Sequence, residues 1–241
     1  VWESTVDGRR LTFHLAGINN QNFIMRDEET GSWWQQVSGE AIFGPLKGRR
    51  LKPVIHDEIA FKTWKREESQ GRVLRPDERI AASGDYAPAD WEQRMTKVPV
   101  TTGVAADKRL EPRTLVAGIS VGAASKAYPL SALQKQSPVQ DRLGGVPILI
   151  VVGEDQKSVR AYESSIEDNG GKRTLELFAR PGSSPLILVD AQTGSEWNFS
   201  GAAINGPLNG TQLRKLSVLE DYWFDWHAYH PDTSVYTLGE R

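Results

Sequence analysis

A mainly β fold, α+β with a few short helices, is what this sequence predicts, arranged as two duplicated β-rich units related by a pseudo-twofold and joined by a long connector. Three observations predict it. One stretch of the chain recurs about 160 residues later, the recurring stretch is punctuated by Gly-centred turn motifs, and the longest apolar run, VPILIVV at 146–152, has the length of a buried strand.

The repeat sets the order of the units. DEETGSWW, starting at Asp27, returns as DAQTGSEW from Asp190, which brings Thr30, Gly31, Ser32 and Trp34 onto Thr193, Gly194, Ser195 and Trp197. After a one-residue deletion, GEAIFGPLKGRRL from Gly39 lies over GAAINGPLNGTQL from Gly201. Phe61 and Trp64 then fall on Trp223 and Trp226. This many ordered identities across one gap indicate duplication. The boundaries that follow are a partial first repeat at 1–75, a connector at 76–113 and a complete second repeat at 114–241.

Within each unit the DxxTGS stretch sets an Asp and a Thr, both able to hydrogen-bond nearby backbone, before a Gly suited to positive φ. Asp27 and Asp190 are therefore expected to organise hairpin turns. GPLxG marks a second reversal. The stretches EIAFKTW and EDYWFDW space aromatics at i and i+3, which predicts a short helix with its rings turned inward. Trp34, Trp197, Trp64 and Trp226 are accordingly expected in the core. Trp33 matches Glu196 and is expected at the surface, as a contact residue.

The second copy carries about 50 residues of strand and turn pattern ahead of AYESS, the counterpart of VWEST at the start of the chain. The first copy lacks that half, so its strand edges are expected to be covered by upstream residues or by a protein partner. The chain has no initiator Met and no leader-like segment, which reads as a processed or truncated form. The connector is rich in charge, Ala, Gly and Pro, as a wrapping segment or functional loop would be, and Trp91 with Met95 suggests one docking helical turn.

Composition narrows the function classes. The 29 Lys and Arg residues nearly balance the 31 Asp and Glu, so no broad attraction to nucleic acid is expected. No apolar run approaches the roughly 20 residues of a membrane helix. With no Cys in the chain, disulfides, thiolate metal sites and Cys nucleophiles are excluded.

The order DxxTGSxW, GxAIxGPLxGxxL and Trp, the lead-in GISVG, KAYPLS and DRLGGVPILI, and the tail from Trp226 to Thr233 resemble the bacterial domain-of-unknown-function 3179 (DUF3179) family. The resemblance covers about 116–236 and the latter half of the first copy, so two tandem members are expected, the first lacking its N-terminal half. It implies an exported, periplasmic or extracytoplasmic protein, held at a membrane through a partner or an anchor, with no assigned reaction. Relatives often carry a Cys-containing segment just before the position of VWES; here its second-copy counterpart, GEDQKSVR at 153–160, has none.

The chemical candidates are few. GISVG at 118–122 has the form of the Gly-x-Ser-x-Gly nucleophile motif, but its surroundings read as strand, turn and strand, which places Ser120 in a hairpin arm and not at a sharp elbow. His227 and His230, three apart, could approach one metal, with Asp225 or Asp232 adding oxygen. Lys65 and Glu68 replace them in the first copy, and His230 at a helix end is expected to satisfy terminal carbonyls. Glu28, Glu29, Glu67 and Glu68 are expected to be solvated. His14 and His56 are isolated. Arg49 and Arg50, in the basic turn KGRR, join Trp33 and Trp91 as partner-contact candidates. NFS and NGT match glycosylation sequons, read here as incidental. No cofactor and no catalytic residue are expected.

Three functions remain in view. The first is a non-catalytic, exported interaction or scaffold protein, an accessory subunit of a membrane-bound complex such as an electron-transfer assembly. The second is a small-molecule or metal-binding module in a cleft between the repeats. The third is a hydrolase using Ser120.

Overall fold

The computed structural model describes residues 1–241 except 20–21, 84–87, 89, 101–106, 169–170 and 240–241. Strands dominate, and the helices are short. The chain opens with the hairpin β1 (Thr5–Val6) and β2 (Arg9–Arg10) and continues into a four-stranded antiparallel sheet of β3 (Phe13–Asn19), β4 (Asn22–Asp27), β5 (Trp33–Gln35) and β6 (Ala41–Phe43). Helix α1 (Phe61–Glu67) ends this first unit. The intervening segment holds α2 (Glu78–Ser83) and α3 (Trp91–Met95).

The second unit begins with the hairpin β7 (Leu115–Val121) and β8 (Ala124–Pro129), followed by α4 (Leu130–Lys135), β9 (Val139–Leu143), β10 (Val146–Val152) and β11 (Val159–Glu163). A hairpin of β12 (Ser165–Asp168) and β13 (Gly171–Thr174) leads into a sheet of β14 (Leu177–Ala179), β15 (Ile187–Asp190), β16 (Glu196–Asn198) and β17 (Ala203–Asn205). The chain closes with β18 (Lys215–Leu216), β19 (Val218–Tyr222), α5 (Trp223–Tyr229) and β20 (Ser234–Val235). β18 adds to the edge of β11, while β19 and β20 flank the β7–β8 hairpin.

The run VPILIVV forms β10, an inner strand of its sheet. Ile148, Ile150 and Val152 enter the core shared with β7, β8 and α4, whereas Leu149 and Val151 enter the core under β14–β17. A strand buried on both faces has no polar alternation to show, which is why its sequence is continuously apolar.

The two matching stretches hold the same hydrogen bonds. Asp27 Oδ2 accepts from Trp34 Nε1 at 2.8 Å, and Asp190 Oδ2 accepts from Trp197 Nε1 at 2.9 Å. The backbone N–H of Thr30 donates to Asp27 Oδ1 at 2.5 Å, and that of Thr193 to Asp190 Oδ1 at 2.6 Å. Ser32 and Ser195 each accept the N–H of the GPL leucine, Leu46 at 3.1 Å and Leu208 at 3.0 Å. A Cβ at Gly44 or at Gly206 would lie 2.8 Å from the Cα of the facing serine, and both glycines have positive φ, so this turn admits no side chain. Trp2 packs over Gly39 as Tyr162 packs over Gly201, and the Trp2–Pro53 bridge corresponds to the Tyr162–Lys215 pairing of β11 and β18. Among the described residues the first unit has no counterpart of β7–β10.

The paired helices differ in what they cover. In α5, Trp223 and Trp226 are buried, and Trp226 lies flat over Gly118, where a Cβ would come within 2.2 Å of the indole. In α1 the inward placement expected of the rings fails: Phe61 is 60 % exposed and stacks on a half-buried Trp64, which covers Gly71. The reason lies in what each helix packs on: Gly118 of β7 lies beneath Trp226 of α5, whereas Gly71, in the loop that follows, lies beneath Trp64 of α1. Its opposite face docks on the second unit instead. Thr63 Oγ1 donates to Asp155 Oδ2 at 3.0 Å, and the Ala60 N–H donates to Ser158 Oγ at 2.9 Å.

Arg160, 3 % exposed in its side chain, locks this junction. Its two Nη atoms reach Glu67 at 2.9 and 2.7 Å, and Nη2 also reaches Asp57 at 2.8 Å. Burial alone would push the guanidinium pKa down, but the hydrogen bonds it donates to Glu67 and Asp57 outweigh it and hold it above the ordinary value. Glu67, expected to be merely solvated, is therefore half of an inter-unit ion pair. The segment from Asp107 also docks: Arg109 donates to the Thr233 carbonyl at 2.6 Å and lies over the Trp223 ring.

Two stability predictions follow from this packing. Trp226→Ala should cost about 3–5 kcal/mol in urea unfolding, since a buried indole leaves a cavity, while Trp64→Ala should cost under about 2 kcal/mol. Glu67→Ala should cost about 2 kcal/mol, because it takes two charge-assisted hydrogen bonds from the buried Arg160 and leaves Asp57 alone to balance it. Arg66→Ala, which removes an exposed pair with Glu154, should cost under about 1 kcal/mol in the same assay.

Candidate functional site

The units face each other across an open cleft of about 500 Å³. One wall comes from the first unit, through Trp2, Asn22, Gln36, Val54, His56 and Glu58. The other comes from β7, β19 and α5, through Gly118, Ser120, Glu220, Asp221, Asp225 and His230. The Asn22 amide donates to Asp225 Oδ2 at 2.5 Å, a direct side-chain bond between the units.

Asp221 is the next-to-last residue of β19 and Asp225 sits in the first turn of α5, four residues on. This spacing puts two carboxyls side by side at a strand-to-helix junction whose neighbouring aromatics exclude water. Asp225 is 8 % exposed, and its Oδ1 is buried without a hydrogen-bond donor. Burial raises the Asp225 pKa to about 6, despite the Asn22 bond, which acts the other way. For Asp221 burial is again the main cause, with the charge of Asp225 adding to it and that of Glu58 contributing, and its pKa rises to about 7. A carboxyl pair of this kind retains a proton near neutrality and can both donate and accept a hydrogen bond.

These acids belong to the second unit alone. Ile59 and Thr63 stand at the matching positions of the first, and Pro185 matches Asn22. A second cavity of about 260 Å³ lies on that side, lined by Thr63, Arg66, Pro185 and Phe199. Asp225 was legible in the sequence only as a possible metal ligand, and Asp221 was not singled out. The signal was present in the sequence: two Asp, four apart, inside the aromatic run DYWFDW, where desolvation of carboxyls is unavoidable.

Of the residues singled out from sequence, His56, Ser120, Asp225 and His230 line the cleft, while His227, Trp33, Trp91, Arg49 and Arg50 do not. His227 stacks on Trp223, and its Nε2 lies 3.3 Å from Asp107 Oδ2; His230 stacks on Trp226, and its Nδ1 lies 3.2 Å from the Trp226 carbonyl. His230 thus meets a terminal helix carbonyl, as its position suggested. Among the described residues no group of three His, Asp or Glu is disposed to hold a metal. Ser120 is exposed in β7, opposite Ser125 of β8, so it does sit in a hairpin arm. Trp33 is 38 % exposed and pairs across strands with the exposed Phe43. Trp91 is exposed on α3, and Arg49 and Arg50 pair with Asp7 and Glu40.

The geometry defines a class: a mainly β protein of six small sheets, among the described residues, with an open cleft lined in part by carboxyls. Residues 1–233 match the family described as a protein of unknown function, DUF3179, and the chain belongs to that family. The match is one span, where the sequence suggested two tandem members. No curated protein and no solved structure matches the chain. No helix among the described residues is long and apolar enough to cross a membrane.

The carboxyl pair gives stability a pH dependence of definite sign. Both groups hold more protons folded than unfolded between about pH 4 and pH 7, so their contribution is full below about pH 4 and is lost as pH rises through 6 and 7. Asp221→Asn should raise the melting temperature relative to wild type at pH 8, and this gain should shrink at pH 5.

Proposed function

We propose that this protein is a binding protein that holds a small polar molecule in the cleft between its two β units. The observation that carries the reading is the combination at one place of a cleft of about 500 Å³, walls drawn from both units, and a desolvated carboxyl pair beneath it. Such volumes are typical of small-molecule sites, and a few convergent polar groups on an otherwise apolar wall are what orient a ligand. The equivalence of hydrogen bonds in the two units supports their origin from one duplicated unit, placed about a pseudo-twofold, with divergence concentrated at Asp221, Asp225 and Asn22.

A second reading, an exported interaction module, is favoured by Trp33 and Phe43. They form an exposed aromatic pair on the first sheet where the second unit has Glu196 and Asn205, so the fold itself does not require them. Aromatic pairs of this kind are enriched where proteins dock.

Titration with a panel of soluble amines, amino acids and sugars, followed by amide chemical shifts, should move Asn22, Ser120 and Ser217 first. Ser120→Trp should suppress those shifts while the melting temperature stays within a few degrees. A panel that moves none of the three amides would remove the cleft reading and leave the interaction module.

A further inference from the structure

We infer that the protein has a second ligand site, separate from the cleft: the cavity of about 260 Å³ between α1 and the sheet of β14–β17 takes a small, neutral molecule built on an aromatic ring. Its apolar lining is Pro185, Leu186, Ile187, Phe199 and Ile204. Phe199 is buried and Ile204 is 45 % exposed, so apolar surface is present both in the interior and at the rim. The Arg160 guanidinium lies over the Phe199 ring, 4.6 Å from its centroid, which fixes one wall of the cavity to the inter-unit junction. Covering such surface recovers roughly 25 cal/mol per Å², and the cavity exceeds the roughly 150 Å³ of an apolar cavity that admits benzene.

The ligand is neutral because the charged groups around the cavity are already engaged. Glu67 holds Arg160 through both carboxylate oxygens, and Arg66 donates to Glu154 at 3.0 Å. The Thr63 hydroxyl likewise donates to Asp155. A charged ligand would compete with these pairs and give up its own hydration. Asn198, also in the lining, is different. Its Oδ1 accepts from Ser200 Oγ at 2.8 Å and from the Ala202 N–H at 3.0 Å, which leaves Nδ2 a donor without an acceptor among the described residues. An aromatic ligand that carries one acceptor, such as a ketone oxygen, meets that donor.

The cleft is lined in the opposite sense on the same strand pairing. Ile24 pairs with Gln35 as Ile187 pairs with Asn198, and this register puts Asn22 and Gln36 of the cleft where Pro185 and Phe199 line the smaller cavity. These positions therefore accept polar or apolar side chains with the strands intact. A ligand matched to the cleft is mismatched here, since a polar group placed against Pro185 and Phe199 loses its water without gaining a partner.

The test uses four phenyl compounds of nearly equal size on the whole chain: acetophenone with an acceptor, cumene with no polar group, benzoate with a negative charge and benzamidinium with a positive one. Amide shift titration should move Gly153, Ile187 and Phe199 with acetophenone and leave Asn22, Ser120 and Ser217 in place. Acetophenone should bind about tenfold more tightly than either ion and a few-fold more tightly than cumene. Ile204→Trp, a change at an exposed position, should fill the mouth and suppress the shifts. Asn198→Asp keeps the oxygen that Ser200 and Ala202 use and removes the donor, so acetophenone should then bind no better than cumene. Should Asn198→Asp fail to fold, Ile204→Trp still decides whether the shifts belong to this cavity. Benzoate or benzamidinium binding as tightly as acetophenone would overturn the neutral assignment. N-acetylphenylalanine amide displacing acetophenone at lower concentration would replace the free molecule with a side chain of a protein partner. Movement of Asn22, Ser120 and Ser217 alone would put the ring in the cleft and overturn the second site. No shift at Gly153, Ile187 and Phe199 with any probe would overturn the site and leave the cleft reading as it stands.

Discussion

A buried carboxylate beneath a buried indole is the interaction on which each unit is built. Asp27 and Asp190 are almost wholly enclosed, and so are Trp34 and Trp197. An enclosed carboxylate is tolerable only when its oxygens are occupied. Here they are occupied by the indole N–H and by the Thr backbone and hydroxyl of the same turn. For Asp27 burial pushes the pKa up, but these hydrogen bonds outweigh it and leave it below the ordinary value. The turn therefore fixes the indole, the indole fills the core under the sheet, and the Ser two residues after the Thr fastens the GPL turn above it.

What the units do with their helices separates them. In the second, α5 lies on β7, closes its own core with two indoles, and presents Asp225 to Asn22 of the first unit. In the first, α1 has no such strand and turns its polar face to the second unit through Thr63, Glu67 and the Arg160 cluster. Contacts thus run in both directions across the junction, and the cleft is what remains between them.

The two matching turns were legible because their determinants are local: a Gly that must take positive φ, a Pro at a reversal, an Asp placed to receive a turn. The surface exposure of Trp33 and the hairpin setting of Ser120 were legible for the same reason. The exposure of Phe61 and the burial of Arg160 were not, because each depends on which distant segment packs against α1 in the folded chain. The carboxyl pair lies between these cases. Its spacing was visible, but its meaning depended on Asn22, some two hundred residues away, reaching Asp225.

The doubly covered strand β10 gives the second unit cores on both faces of one sheet, while the first unit closes over a single smaller cluster around Trp34. Unequal cores imply unequal opening free energies, and the first unit is the one that should detach in sub-global fluctuations. Because half of the cleft wall leaves with it, any molecule that bound there would hold the two halves of the chain together, and loosening the first unit would release it.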